Sequence, residues 1–355
     1  MAVLIASSPH ARRALDTGQV MRQVVFATLP GLLALIWWFG WGVAVNVLLA
    51  VAAALATEAA LLAARGRPLG FYLRDSSAIL TGVLLGLSLP PFLPWWMTVL
   101  GAGFAISFGK QLYGGIGYNP FNPAMLGYVV LLISFPVEMT RWAAPLAGAG
   151  AGPLEALGAI FGASGAVDAF TGATPLDSFK YRDGLTAAEW WASSGLRGSF
   201  AAAGWEWVNA AFLAGGAYLL WRRIFTWHAP LSMLITLALL SFVFWDGGSS
   251  EGHGSPALHL FSGATMFGAF FIITDPVSSA TSNRGRVVFG IGVGVLLYAI
   301  RAFGNYPDAV AFAVLLMNLA APFIDHYTRP RSYGHRGRRQ RRQQDRAANS
   351  TGTMP

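Results

Sequence analysis

Hydrophobic and polar positions in this chain fall into long apolar runs bracketed by charge, with neither the alternation of a half-buried strand nor the polar stripe of a surface helix. A bilayer core about 30 Å thick takes roughly 20 apolar residues per helix, and about ten runs serve as candidates. Runs 24–40 and 43–64 form a hairpin with Arg12, Arg13 and Arg22 before it and Arg65, Arg67 and Arg74 after it. Run 76–89 ends in Pro90-Pro91-Phe92-Leu93-Pro94, run 95–108 returns to Lys110, and run 123–135 leads into 70 residues, 136–205, of mixed charge rich in Gly and Ala. Runs 207–220, 230–245, 256–273, 287–302 and 307–324 follow, with Arg222, Arg223, Arg284 and Arg286 in alternate loops.

Because Lys and Arg mark cytoplasmic loops, this bias predicts both chain ends inside and segment 136–205 outside. Five spans before that segment and five after it insert in opposite directions. The expected fold is therefore an all-α polytopic membrane protein of about ten transmembrane helices in two inverted five-helix repeats, with Pro-broken helices. Its parts are a cytoplasmic segment 1–23, a first repeat 24–135, the outer loop 136–205, a second repeat 206–325 and a basic cytoplasmic tail 326–355. An offset of 184 residues sets Pro123 on Pro307 and Val130, Leu131 and Leu132 on Val314, Leu315 and Leu316. Each half also has a third segment that ends at proline, Leu89-Pro90-Pro91 and Thr274-Asp275-Pro276. The first span is expected to serve as the targeting segment, since the 23 residues before it are polar and no small-residue cleavage site follows it.

Composition sharpens this reading. Charged residues make up 11% and hydrophobic residues 55%, which excludes an ordinary soluble enzyme. The net charge of +8 resembles that of a nucleic-acid binder, but residues 329–355 hold eight Arg against the single acid Asp345 and account for +7 of it. The basic balance orients the chain in a membrane and predicts no nucleic-acid partner. With no cysteine, the chain offers no disulfide and no thiolate ligand for zinc or an iron–sulfur cluster, so redox chemistry here needs a borrowed cofactor. The six histidines show no metal-ligand spacing, and no metal site is expected.

Chemistry concentrates in the outer loop, at Asp168-Ala-Phe-Thr171-Gly172-Ala173-Thr174-Pro175-Leu176-Asp177. Read alone, Thr174 caps a short helix with Pro175 at its first position and Asp177 in its first turn. The same run fills every position of the pattern Asp-x-x-(Ser/Thr)-Gly-Ala-Thr, and so resembles the acceptor motif of proteins that carry flavin mononucleotide (FMN) as a phosphoester on the last threonine. Small neighbours leave the hydroxyl open to another enzyme, and a phosphate link leaves the ring free for electron exchange.

Other segments resemble the D subunit of the Rnf electron-transport complex. They are Ser8-Pro9-His10, the run from Gly115 through Asn119-Pro120-Phe121-Asn122-Pro123, the run from Ile273 through Gly285, Arg301 to Asp308, and Pro322 to Pro330. The resemblance extends to about Gly334, and the Arg- and Gln-rich remainder reads as disordered. The B subunit of the sodium-pumping quinone reductase shares the flavin motif but has a longer amino-terminal extension.

The resemblance implies a subunit of an inner-membrane, ion-translocating oxidoreductase that couples electron flow between ferredoxin and NAD to sodium or proton movement. Thr174 would carry the covalent FMN, with Asp168, Thr171, Gly172 and Ala173 read by the flavin transferase that attaches it. Partners would be the other Rnf subunits, including a second flavinylated subunit on the outer face. A second, noncovalent flavin is also conceivable on family grounds.

Further candidates come from the residues. Asn119 and Asn122 either satisfy backbone groups at a helix start or contact a ring system or an ion. Glu58, seven residues before Arg65, is either an ion-path ligand or a snorkelling side chain, and Asp275 either joins an ion path or caps the next segment. Asp308 reads as a cap on the final helix, and Gly263-Ala264-Thr265 as helix packing. The competing functional class is a channel or carrier for a small polar solute, since paired broken helices in inverted repeats are a transporter architecture. A third reading is a scaffold whose flavin is dispensable.

Overall fold

The computed structural model describes residues 16–145, 152–162, 171–182, 184–247, 253–304, 306 and 308–329. Asp168, the amino-terminal stretch that includes Ser8-Pro9-His10, and the basic tail beyond Arg329 lie outside the described residues.

The chain is mainly helical. The first apolar run becomes α1 (Thr17–Ala27) and α2 (Leu29–Phe39), separated at Thr28, whose hydroxyl donates to Val25 O at 2.7 Å, with Pro30 in the first turn of α2. The helix begins well before residue 24, because Asp16 and Gln19 form a capping box at its start. Then come α3 (Gly42–Ala64), α4 (Leu69–Tyr72), α5 (Ser77–Ser88), α6 (Trp95–Gly109) and α7 (Pro123–Ser134). The intervening loop holds α8 (Pro136–Thr140), β1 (Trp142–Ala143), α9 (Pro153–Phe161), β2 (Thr171–Gly172), α10 (Pro175–Lys180) and α11 (Ala187–Ser193). The second half contains α12 (Trp205–Trp221), α13 (His228–Val243), α14 (Pro256–Phe261), α15 (Thr265–Phe267), α16 (Asn283–Phe303) and α17 (Val310–Thr328).

Four stretches are long and apolar enough to cross a membrane: Thr17–Phe39 taken together, α3, α16 and α17. Helices α5, α7 and α13 are apolar but shorter. Neighbours pack closely where glycine removes the side chain. A Cβ on Gly82 would lie 2.6 Å from Val51 Cα, and one on Gly86 2.6 Å from Val47 Cα, so α5 lies directly against α3. In the first half α3 packs on α5 and α6, and α6 on α7; in the second, α13 packs on α16, and α16 on α17. The halves meet where α2 lies on α12 and α7 on α17.

The run 256–273 is not one helix. It breaks at Ser262–Ala264, where Gly263 takes φ +59°, and resumes as α15 and a five-residue π-helix, Gly268–Ile272. Gly263-Ala264-Thr265 is therefore the break itself and not a packing stripe. Asn209 of α12 holds it open: its amide donates to Gly263 O at 2.9 Å and its oxygen accepts from Met266 N–H at 3.0 Å. In the first half, Asn46 of α3 donates in the same way to Pro90 O (2.8 Å) and Pro91 O (3.1 Å), fixing the turn after α5.

Candidate functional site

The Thr174 loop is anchored from both sides. Strands β1 and β2 pair antiparallel, Trp142 with Gly172 and Ala143 with Thr171, and the Trp142 ring packs at 5.0 Å from Trp205 and 6.0 Å from Phe39. Thr171 and Gly172 are thereby pinned to the bundle, while Ala173 is exposed. Thr174 then caps α10: its Oγ1 accepts from Asp177 N–H at 3.1 Å and donates to Asp177 Oδ2 at 2.6 Å. Pro175, Leu176 and Phe179 are buried beneath the helix, Trp190 Nε1 donates to Ser178 Oγ, and Lys180 Nζ donates to the backbone oxygens of Ile300, Arg301 and Gly304 at the end of α16. Capping and display coincide: the residue that starts the helix is the one left half-exposed at its tip.

Space exists beside it. An open cleft of about 530 Å³ is lined by Thr171, Gly172, Ala173 and Asp177 together with Arg141, Tyr181 and Tyr306. Thr174 itself lines a narrow slot of about 80 Å³ that runs between the halves against Met125, Phe267 and Val310. Burial raises the Asp177 carboxyl above its ordinary range, and the two bonds to Thr174 oppose that rise without cancelling it. Burial likewise lowers Lys180, against the pull of Asp177. A hydroxyl with small neighbours, an open cleft next to it and two tyrosines in that cleft's lining suit a phosphate-linked planar ring.

At the opposite end of the bundle lies a cavity of about 450 Å³, lined by Lys110, Asn119, Asn122, Arg223, Asp275 and Arg286 among apolar residues of both halves. Asn119 donates to Phe121 O at 2.9 Å. Asn122 caps α7 by accepting from Met125 N–H at 3.2 Å. Asp275 accepts from Val277 N–H and Ser278 Oγ, and so closes a local turn at the cavity wall. Three residues separated by about 150 positions in sequence thus face one space, and each already has a structural bond.

Glu58 does not snorkel. It is 1% exposed, and its Oε1 accepts from Lys110 Nζ at 2.5 Å and from Gln111 Nε2 at 2.8 Å, while Oε2 is buried without a partner. Arg65 turns instead to Gln111 O at 2.7 Å. Lys110, which also donates to Ser77 Oγ, joins this cluster to the cavity wall. Asp308, expected to cap the final helix, accepts from Ala264 N–H at 2.7 Å and from Arg301 at 3.0 Å, clamping the break in the second half.

Sequence reasoning missed Lys110, Asn46, Asn209 and Asn318. The last has its amide between α17, Ser278 and Asn122: it donates to Ser278 O at 3.1 Å and accepts from Asn122 N–H at 3.0 Å. Three of the four interrupt apolar helices with an amide, and that is the signal that could have found them. Lys110 looked like an ordinary loop cation.

Comparison with known proteins gives concordant results. The NQR2, RnfD, RnfE family matches residues 4–334. The D subunit of the ion-translocating oxidoreductase complex of Ectopseudomonas mendocina is 61% identical over 336 residues, 95% of this chain and 97% of that protein. The protein of the same name from Pseudomonas aeruginosa is 58% identical over 336 residues, with the same shares of each chain. That from Alcanivorax borkumensis is 54% identical over 341 residues, 95% of this chain and 98% of the other.

Proposed function

The chain belongs to the NQR2, RnfD, RnfE family, and from that membership we propose that it is the D subunit of an ion-translocating oxidoreductase complex, carrying FMN as a phosphoester on Thr174. The complex would pass electrons between ferredoxin and NAD and move sodium or protons across the bacterial inner membrane. Other Rnf subunits are its partners, among them a second flavinylated subunit at the outer face, and a flavin transferase matures it.

The observation that carries the reading is the complete motif at Thr171-Gly172-Ala173-Thr174, displayed at the tip of α10 beside an open cleft. Thr174 Oγ1 would form the ester, and Ala173 and Gly172 keep the approach unobstructed. Asp168 completes the stretch read by the transferase. Arg141, Tyr181 and Tyr306 line the space available to the ring. When bound, the flavin supplies reversible electron transfer, and the chain supplies its position.

Two inverted repeats of five segments are part of this proposal. Successive helix ends support it: Phe39, Pro91, Trp95 and Arg301 lie toward the Thr174 loop, whereas Arg65, Ser77, Lys110 and Asn122 lie at the far end. Arg223 and Arg286 line the far cavity, which agrees with a cytoplasmic face there and a periplasmic Thr174 loop. The far cavity has room for a second, noncovalent flavin or an ion contact at Asn119 and Asn122, with Glu58 and Asp275 as ion-path carboxylates beside it.

Flavin fluorescence of the denatured protein in a gel, after expression with its flavin transferase, tests the covalent link. The native chain should fluoresce and Thr174→Ala should not. Fluorescence that persists in the variant, or is absent from the native chain while a labelled control protein fluoresces, overturns the assignment.

A further inference from the structure

Beside α10, on the side away from the flavin cleft, a cleft of about 250 Å³ is lined by Phe179, Lys180, Arg182, His253, His259 and Arg301 together with small and apolar residues. Its lining has three permanent cations and two imidazoles, with no carboxylate among the described residues. Thr174 lines the neighbouring slot and not this cleft, so the tethered phosphate does not account for it.

The wall has more polar capacity than it uses. Arg301 is 5% exposed; its guanidinium donates to His259 O at 2.8 Å and to Asp308 at 3.0 Å, yet Nε is buried with no partner. His259 is 3% exposed; its Nε2 meets His253 O at 2.5 Å, and Nδ1 is likewise buried and unpartnered. The Arg182 guanidinium lies 4.3 Å over the Phe179 ring, held by Phe179 O and Leu185 O. Among the described residues, Asp308 is the one carboxylate paired with Arg301. The buried, unpartnered Arg301 Nε is a charged donor left over for an anion in the cleft.

The mouth shows where that anion comes from. The His253 ring lies 5.0 Å from Phe303 and 6.3 Å from Phe244, which are 66% and 47% exposed at the ends of the apolar helices α16 and α13. Trp245, next to Phe244 and 42% exposed, marks headgroup depth there, as amphipathic indole rings do in a bilayer. An apolar rim that leads into a basic cleft fits an amphiphile with acyl chains on the rim and its anionic group inside.

We propose that this cleft is a phosphate-binding site, filled by the headgroup of an anionic phospholipid. Arg182 and Arg301 supply the positive field, His253 adds its ring nitrogens at the mouth, and the Phe244 and Phe303 rim receives the chains. Guanidinium groups suit phosphate because they present planar, paired donors. The site is independent of the flavin on Thr174.

Thermal unfolding of the full-length protein in a nonionic detergent tests the proposal, with dihexanoyl phosphatidylglycerol, dihexanoyl phosphatidylcholine and inorganic phosphate as probes. Phosphatidylglycerol should raise the Tm in a saturable way, and phosphatidylcholine should not. Arg182→Gln and His253→Gln should each weaken the apparent affinity about tenfold, with the basic tail intact as an internal control for non-specific charge. Stabilisation by phosphatidylglycerol alone identifies the lipid headgroup; equal stabilisation by inorganic phosphate, lost in the same variants, keeps the phosphate site and identifies the free ion as its source. No stabilisation by either probe, or stabilisation that both variants retain, overturns the proposal. Arg301→Lys, which keeps the charge but loses the guanidinium fork, provides a third variant should either substitution fail to fold.

Discussion

The Thr174 hydroxyl donates to the Asp177 carboxylate at 2.6 Å and accepts the Asp177 backbone N–H at 3.1 Å, so the side chain proposed to carry the flavin is also the one that starts α10. An ester at Oγ1 keeps the acceptor and removes the donor. Modification would leave the backbone cap in place and set a phosphate against Asp177.

That pairing predicts a pH dependence. Burial, the largest influence, raises the Asp177 pKa above its ordinary value of 3.8, so the folded protein holds this proton more firmly than the unfolded chain. The associated stabilisation is fully present below the unfolded value and is lost as pH rises through the raised, folded one. Asp177→Asn, which cannot ionise, should flatten the stability profile from about pH 4 upward. Parallel Tm profiles for the native chain and the variant, measured without flavin, would show that Asp177 contributes no such slope.

The buried Glu58–Lys110 pair gives a second prediction. Removing one partner strands the other charge, with a loss of roughly 3–5 kcal/mol for Lys110→Met. Glu58→Gln should be nearly as harmful, because the Lys110 ammonium keeps only Ser77 as a close partner and Asp75 at 3.9 Å among the described residues. The double variant should recover much of the loss, since no charge of the pair then remains buried. Chemical denaturation of the three variants in detergent measures the coupling, and simple additivity would contradict it.

Helix positions were legible because each apolar run has its own composition, and eight of the ten expected runs meet a single helix within a few residues. Run 24–40 instead starts at Thr17 and divides at Thr28, and in 256–273 the break at Gly263 lies about ten residues before the expected Thr274-Asp275-Pro276 signal. Proline announces a break in the sequence, whereas Ser-Gly-Ala followed by a π-helix reads as ordinary apolar chain. Thr174 was legible as a cap because its partners lie within three residues. Lys110 was not, because its partner Glu58 is 52 positions away and only packing brings them together.

Close helix packing predicts opposite outcomes at two glycines. Gly82→Ala on α5 would set a methyl 2.6 Å from Val51 Cα, so the helices must separate, at a cost of about 1–3 kcal/mol. Gly103→Ala on α6 meets nothing nearer than Thr57 Oγ1 at 3.7 Å and should be neutral or stabilising by up to about 1 kcal/mol through helix propensity. Unfolding midpoints for the two variants test the contrast, and equal effects would refute the α3–α5 contact.

Asn209 supplies the last prediction, because its amide replaces helix bonds that the break at Ser262–Ala264 gives up. It donates to Trp205 O and Gly263 O and accepts from Met266 N–H, and it is 1% exposed. Asn209→Leu fills the space but leaves the Gly263 carbonyl and the Met266 amide without that partner, each worth about 1–3 kcal/mol when buried. Asn209→Gln retains the chemistry on a longer stem and should lose less. The break also positions Ala264 N–H on Asp308, and Asp308 on Arg301, so loosening Asn209 should reach the basic cleft beside α10. Hydrogen exchange at Ala264 and Met266 provides the readout: faster exchange at both amides in Asn209→Leu, with the α3–α5 region unchanged, is the expected result. Uniform acceleration across the bundle would instead make Asn209 a general packing residue with no special hold on the break.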